Sequence, residues 1–244
     1  MAIIITLGTT APAHAFRPFL SEDAAVLTPR DFEIEFGILE ISHQPGDLIS
    51  GHPLQLEAGL VKNWELILRG ELQTIFKDGQ ISWNNSLVNM ASTDLLIKGV
   101  LREGSLRSSN EWIPSIALMA GPLFPTSRGD RKIGFQGTAI ASGKMARTLY
   151  HLNVGGLLDK SDSDPGIIWG LVLEYMMSDN FLAVWEIDGK GVENHIPDNS
   201  TLVGMIWTFP SSRVSIDIAG RFGLTDPAPD WLVTLGITFA FSVL

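Results

Sequence analysis

From Trp64 to Thr74 apolar and polar residues alternate with a period of two. Trp64, Leu66, Leu68, Gly70 and Leu72 fall on one face, and Glu65, Arg69, Glu71 and Gln73 on the other. Successive side chains of a strand point to opposite sides, so the stretch predicts a strand lying between apolar and polar surroundings. The same dyad closes the chain, where Trp231, Val233, Leu235, Ile237, Phe239 and Phe241 share a face. Alternation bounded by turn residues predicts about twelve strands, near 31–40, 54–61, 64–76, 93–103, 112–124, 132–142, 146–158, 167–178, 181–190, 200–209, 213–224 and 230–242. Short connections follow even-numbered strands, at Lys62 and Asn63, Gly143 to Met145, Asp179 and Asn180, and Pro210 to Ser212. Longer, more polar ones are expected at 41–53, 77–92, 125–131, 159–166 and 191–199; the links at 104–111 and 225–229 break the rule. Short turns on one side and long loops on the other are the asymmetry of a bacterial barrel. The fold class predicted is all-β, a transmembrane antiparallel up-and-down β-barrel.

Composition narrows this further. Hydrophobic residues make up 45% of the 244 residues and charged residues 18%, with a mean hydropathy of +0.20. No apolar run reaches the ~18 residues of a membrane helix, so alternation must carry the apolar surface. The 24 glycines suit turns and bends and argue against long helices. A net charge of −10 without clustered Lys and Arg excludes nucleic acid as a partner. The absence of cysteine excludes disulfides, thiolate metal sites and cysteine nucleophiles. At the start, the apolar Ile3, Ile4 and Ile5 and the small-x-small Ala13, His14 and Ala15 suggest residues 1–15 as a shortened remnant of a secretion signal peptide. Residues 16–30 are then expected as an N-terminal periplasmic segment and 31–244 as the barrel. So short a leading segment leads us to expect no plug domain.

Trp64, Trp112, Trp169, Tyr175, Trp185, Trp207, Phe209, Trp231 and Phe241 lie mostly near strand ends, the depth at which aromatic girdles sit in membrane barrels. Core packing of a soluble β-sandwich is the competing reading. If the apolar faces meet lipid, the lumen receives Glu33, Glu35, Glu57, Glu65, Arg69, Glu71, Asp94, Lys98 and Arg102 from the first four strands. His151, Glu174, Glu186, Asp188, Asp217 and Arg221 come from later ones. Burying so many unpaired charges is too costly, so the lumen must hold water or ion-pair networks. Glu65, Arg69, Glu71, Lys98, Arg102, Asp217 and Arg221 are the candidate pore-lining and selectivity residues. Eight strands close around packed side chains and sixteen leave a wide channel; twelve leave room for a narrow path.

Catalytic chemistry is sparse. No phosphate loop, HExxH or GxSxG occurs. His151 is the one histidine on a predicted strand, and a lumen hydrogen bond suits it better than a Ser–His pair. Asp159, Asp162 and Asp164 miss the EF-hand spacing and read as a solvated loop. No catalytic residue, cofactor or metal site is predicted.

The run Arg17-Pro18-Phe19-Leu20-Ser21-Glu22-Asp23-Ala24, followed by Phe32-Glu33-Ile34-Glu35, resembles the opening of the MetA-pathway of phenol degradation family of outer-membrane proteins. Pro122-Leu123-Phe124-Pro125-Thr126 resembles a mid-chain strand end of that family, with Ser127 where Gly is usual. Asp217 to Leu224 and Leu235 to Phe239 are also similar. The resemblance implies an outer-membrane barrel with a role in uptake of aromatic or other organic compounds, and it brings no catalytic residues. One departure is Phe241-Ser242-Val243-Leu244, where barrel-assembly machinery reads a terminal aromatic.

The function expected is passive diffusion of small, hydrophobic or aromatic, organic molecules through a channel of the bacterial outer membrane. Its partners would be outer-membrane lipids, the organic substrate and the barrel-assembly machinery. The alternatives are a structural or surface-interaction barrel with a closed lumen, and a soluble exported lipocalin-like binder.

Overall fold

A computed structural model describes residues 5–6, 17–77, 86–106, 113–127, 132–210 and 212–243. The proposed cleavage site, Trp112, Ser211 and Leu244 lie outside the described residues. Twelve long strands follow one another: β1 (Asp31–Gln44), β2 (Asp47–Val61), β3 (Trp64–Lys77), β4 (Ser86–Arg102), β5 (Ser115–Leu123), β6 (Gly134–Met145), β7 (Thr148–Leu158), β8 (Pro165–Ser178), β9 (Phe181–Val192), β10 (Asp198–Thr208), β11 (Val214–Gly223) and β12 (Trp231–Val243). Each pairs antiparallel with its sequence neighbours, and β12 pairs with β1 from Trp231 opposite His43 to Ser242 opposite Asp31. That last pairing closes the barrel and leaves no edge. A two-residue piece, Ile5–Thr6, adds to the end of β12.

The alternation in the sequence becomes the two sides of the wall. Leu68, Leu72, Leu118, Leu152, Val154, Val203 and Ile218 are exposed on the outside, while Glu65, Lys98, Glu186 and Asp217 are buried inside. A soluble lipocalin-like protein needs the reverse arrangement, since apolar patches of this extent are not left to water. Aromatic rings crown both ends of the outer face. Trp64, Tyr175, Trp207, Phe209 and Phe241 mark the end where the chain enters and leaves the barrel. Trp169 and Trp231 mark the other. Trp207 packs on Phe209 at 4.5 Å between ring centroids, and Phe32 stacks on Phe241 at 5.5 Å. Trp185 departs from the girdle pattern: it stands mid-wall, between Leu173 and Val203.

The first outer connection is the main departure among the strands. The sequence predicts a loop over 41–53, yet β1 and β2 run on to a tight turn at Pro45 and Gly46. Gly46 has φ +90°, a conformation open to glycine. Pro53, the last residue of that predicted loop, sits inside β2, where the β1–β2 register slips between Phe36 and Glu40. A proline has no N–H to donate, and a ladder irregularity is where a strand tolerates it.

Candidate functional site: the barrel lumen and its N-terminal segment

Of residues 17–30, expected on the periplasmic side, Arg17 to Leu27 run through the barrel interior instead, and Thr28, Pro29 and Arg30 are exposed where β1 begins. Their backbone makes no ladder, so its polar groups are met by inward side chains of strands all around the wall. The Arg17 N–H donates to Glu35 Oε1 of β1 (3.3 Å), and the Leu20 and Ser21 N–H groups donate to Glu186 of β9 (3.2 and 2.9 Å). The Glu22 N–H donates to Asn153 Oδ1 of β7 (3.0 Å), whose Nδ2 donates back to the Glu22 carbonyl (2.7 Å). The Ala24 N–H donates to Ser142 Oγ of β6 (2.9 Å), and the Leu27 N–H to Glu65 Oε2 of β3 (2.7 Å).

Side chains complete the docking. Phe19 packs against Val184, Leu202, Ile206 and Ala219, and Ala24 against Ile67, Leu96, Ala117, Met119 and Ile140. These apolar patches interrupt the polar inner face that strict alternation implies, and they sit where the segment covers them. Glycines give it room. A Cβ on Gly170 would strike Ser21 Oγ, one on Gly236 the Arg17 guanidinium, and one on Gly59 the Thr28 carbonyl. A short segment, and not a plug domain, thus occupies the lumen, with wall side chains meeting its N–H groups at Arg17, Leu20, Ser21, Glu22, Ala24 and Leu27.

The predicted lumen residues separate into distinct groups. In the early wall, Glu22 of the segment pairs with Arg69 of β3 and with Lys98 of β4 (3.0 Å). Lys98 also meets Glu65 (2.7 Å) and Asp23 (3.5 Å). Arg69 Nε donates to Gln55 Oε1 (2.6 Å). In the late wall, Arg221 pairs with Glu186 (2.5 Å) and with Asp188, and donates to Ser200 Oγ (2.7 Å). Asp217 meets Arg17 at 3.6 Å, and Arg17 Nη2 donates to Thr234 Oγ1 (2.6 Å). Glu71 lines the cavity described below. Arg102 does not belong with them: as the last residue of β4 it is exposed at the barrel end, outside both networks.

His151 stands in a row that the sequence did not reveal. Its Nδ1 lies 2.9 Å from Ser142 Oγ, and its Nε2 lies 3.2 Å from Glu174 Oε1. Ser, His and carboxylate in line have the composition of a hydrolytic triad. Ser142, however, is wholly buried and already accepts the Ala24 N–H. The row clamps the segment.

A cavity of about 300 Å³ remains beside the segment, lined by Arg17, Pro18, Phe19 and Leu20 on one side and by Glu40, Pro53, Gln55, Arg69, Glu71, Ser92 and Asp94 on the wall. Leu20 points into it, with 66% of its surface exposed. Among the described residues two acidic groups could gather a cation: Glu33, Glu35 and Glu57 inside, and Asp162, Asp164 and His195 on the outer loops. The loop group is exposed and tied up internally, with His195 Nε2 3.1 Å from Asp162 and Asn194 donating to Asp164 (3.3 Å). Asp159, expected beside them, pairs instead with Lys190 (2.7 Å). Its partial burial opposes ionisation, but hydrogen bonds from Lys190 and Ser161 outweigh it and hold the carboxyl well below the usual range.

No family model matches the chain, and no curated protein sequence does. Solved structures do match. The COG4313 outer membrane channel from Pseudomonas putida F1 superposes with a TM-score of 0.62 at 11% identity, over 89% of this chain and 97% of that one. The KdgM porin superposes with a TM-score of 0.59 at 10% identity, over 85% and 98%. The fold is that of outer-membrane channel barrels. At such identities the likeness speaks for architecture alone.

Proposed function

We propose that the protein is a passive channel of the bacterial outer membrane for small organic molecules, aromatic ones foremost, and that residues 17–30 set the width of its path. The observation that carries this is the segment docked across a polar lumen by wall residues from both halves of the barrel. Twelve strands without it would leave a water-filled path; with it, the cavity of about 300 Å³ over Leu20 remains. That cavity presents Pro18, Phe19 and Leu20 opposite Arg69, Glu71 and Asp94, an apolar floor against a polar wall. A small ring bearing a polar group suits such a lining. The apolar outer face and its two aromatic crowns support the membrane assignment. The buried Ser142 supports a non-enzymatic reading.

The test exploits the lack of native cysteine. A Cβ built on Gly170 lies 3.3 Å from Ser21 Cβ, close to disulfide geometry. The Ser21→Cys/Gly170→Cys protein, refolded and placed in planar bilayers, is expected to conduct less when oxidised than after reduction. Equal conductance in both states would remove the segment from the permeation path. Silence in both, with no swelling of vesicles in small aromatic solutes, would favour the closed structural barrel.

A further inference from the structure

The cavity over Leu20 carries a charge pattern as well as a shape. Among the described residues that line it, acids outnumber bases five to two. Both bases are committed: Arg17 meets Asp217 at 3.6 Å, and Arg69 pairs with Glu22 and donates to Gln55 Oε1 (2.6 Å). Strand register decides which acids are left over. Asp94 stands directly opposite Arg69 in the β3–β4 ladder, the place of a cross-strand ion pair, but the guanidinium is drawn to the segment instead. Glu40 stands between Gly51 of β2 and Thr234 of β12, neither of which carries charge. Asp94 and Glu40 are half-buried on the cavity wall, and neither makes a hydrogen bond or ion pair with another described residue. A cleft lined by one sign of charge between low-dielectric walls gathers counter-ions, so this wall draws cations.

The floor sets a second requirement, independent of charge. Glu186 accepts the Leu20 and Ser21 N–H groups and fixes the backbone there, yet the Leu20 side chain leaves 66% of its surface open to the cavity. Pro18 and Phe19 line the cavity beside it. An ion with its water shell gains nothing from such a floor, whereas an apolar group on the permeant is taken out of water against it.

We propose, on the footing that the lumen passes small organic molecules, that its preferred permeant is an organic cation: a protonated amine bearing a small aromatic or aliphatic group. The ammonium sits beside Asp94 and Glu40, and the apolar group rests on Leu20. An organic anion of the same size meets the same floor but the wrong wall. A small inorganic cation meets the right wall and leaves the floor unused.

The test uses the full chain, refolded and placed in planar bilayers, with folding checked by heat-modifiable migration. The buffer is held at about pH 8, above the ordinary carboxylate range, and at about 0.1 M salt, where screening is moderate. Benzylammonium and benzoate share a ring and differ in charge, and methylammonium has the charge without the ring. Reversal potentials should show benzylammonium passing severalfold more readily than benzoate, and Glu40→Gln/Asp94→Asn should bring that ratio towards one. Asp162→Asn/Asp164→Asn on the outer loops should keep the wild-type ratio. Benzylammonium should also interrupt the potassium current for longer than methylammonium does, and Leu20→Ala should shorten those interruptions severalfold without changing the charge ratio. A conducting wild type that passes benzoate as well as benzylammonium overturns this inference and leaves passage itself standing. So does a folded Glu40→Gln/Asp94→Asn channel with the wild-type ratio, and interruptions of equal length in Leu20→Ala overturn the part given to the floor. A chain that inserts and conducts no ion overturns both this inference and the channel on which it rests.

Discussion

The early and late walls hold the same segment by different means. Around Arg221 the strands satisfy one another, because Glu186, Asp188 and Ser200 all belong to the wall, and Glu186 merely lends its carboxylate to the Leu20 and Ser21 N–H groups. Around Lys98 and Arg69 the wall is incomplete until Glu22 arrives from the segment as their shared counter-ion. The Arg221 network therefore belongs to the barrel and survives withdrawal of the segment, whereas Asp217 beside it would lose Arg17. The early one belongs to the docked state, since withdrawal takes Glu22 from Arg69 and leaves Lys98 with Glu65 alone. A buried charge is costly without its partner, so the early wall should decide whether the segment stays.

The sharpest way to break this comparison is Lys98→Met, which leaves Glu65 buried without its cation and Glu22 with Arg69 alone. It should cost about 3–5 kcal/mol of barrel stability in a urea titration followed by tryptophan fluorescence in lipid vesicles. Glu22→Gln comes next. Losing a hydrogen-bonded buried charge costs about 2–5 kcal/mol, so the balance between docked and released segment should move by roughly 100-fold, read as open probability in planar bilayers. Arg221→Met should leave open probability near the wild type while lowering stability. If it opens the channel as Glu22→Gln does, the contrast between the walls fails.

Smaller effects sharpen it. Ser142→Ala removes the acceptor of the Ala24 N–H and should loosen docking by about 1 kcal/mol, seen as faster amide exchange at Ala24. An esterase activity abolished by the same change would instead promote the Ser142, His151 and Glu174 row to a catalytic site. Least is expected at the outer loops. The Asp159 carboxyl is depressed in the folded protein, so its contribution is present above the ordinary aspartate range near 4 and is lost as pH falls below it. Because its partner Lys190 is exposed, the loss should stay under about 1 kcal/mol, read as melting temperature between about pH 6 and pH 3.

Much of the architecture was written locally. The dyads of 64–74 and 231–241 set which face of each strand meets lipid, and parity then carried Glu65, Lys98, Asp217 and Arg221 to the inside. Turn residues such as Asn63, at φ 68°, placed the hairpins. Where local reading went wrong, it took 41–53 for a loop: Pro45 and Gly46 make the whole first turn, and Pro53 is absorbed by an irregular ladder. Arg102 loses inward parity because the β4–β5 register shifts between Val100 and Arg102, which sets it opposite Ile116 and off the face of the buried Ala117.

The course of residues 17–30 was not legible in that way. They lack a two-residue rhythm, and their partners are remote in sequence, with Leu20 and Glu186 separated by 166 positions. The clues were scattered: glycines at 59, 170 and 236, and small or apolar residues such as Ser142 and Leu202 on inward positions. Each reads as ordinary strand sequence until closure of the barrel puts β3, β6, β9 and β12 around one axis. The sequence by itself determined a twelve-stranded wall, apolar outside and charged inside, because side-chain direction along a strand is a local property. Only the tertiary structure decided that the lumen is occupied and how its charges are shared. Those depend on which faces meet across a closed cylinder, and no stretch of chain carries that information alone.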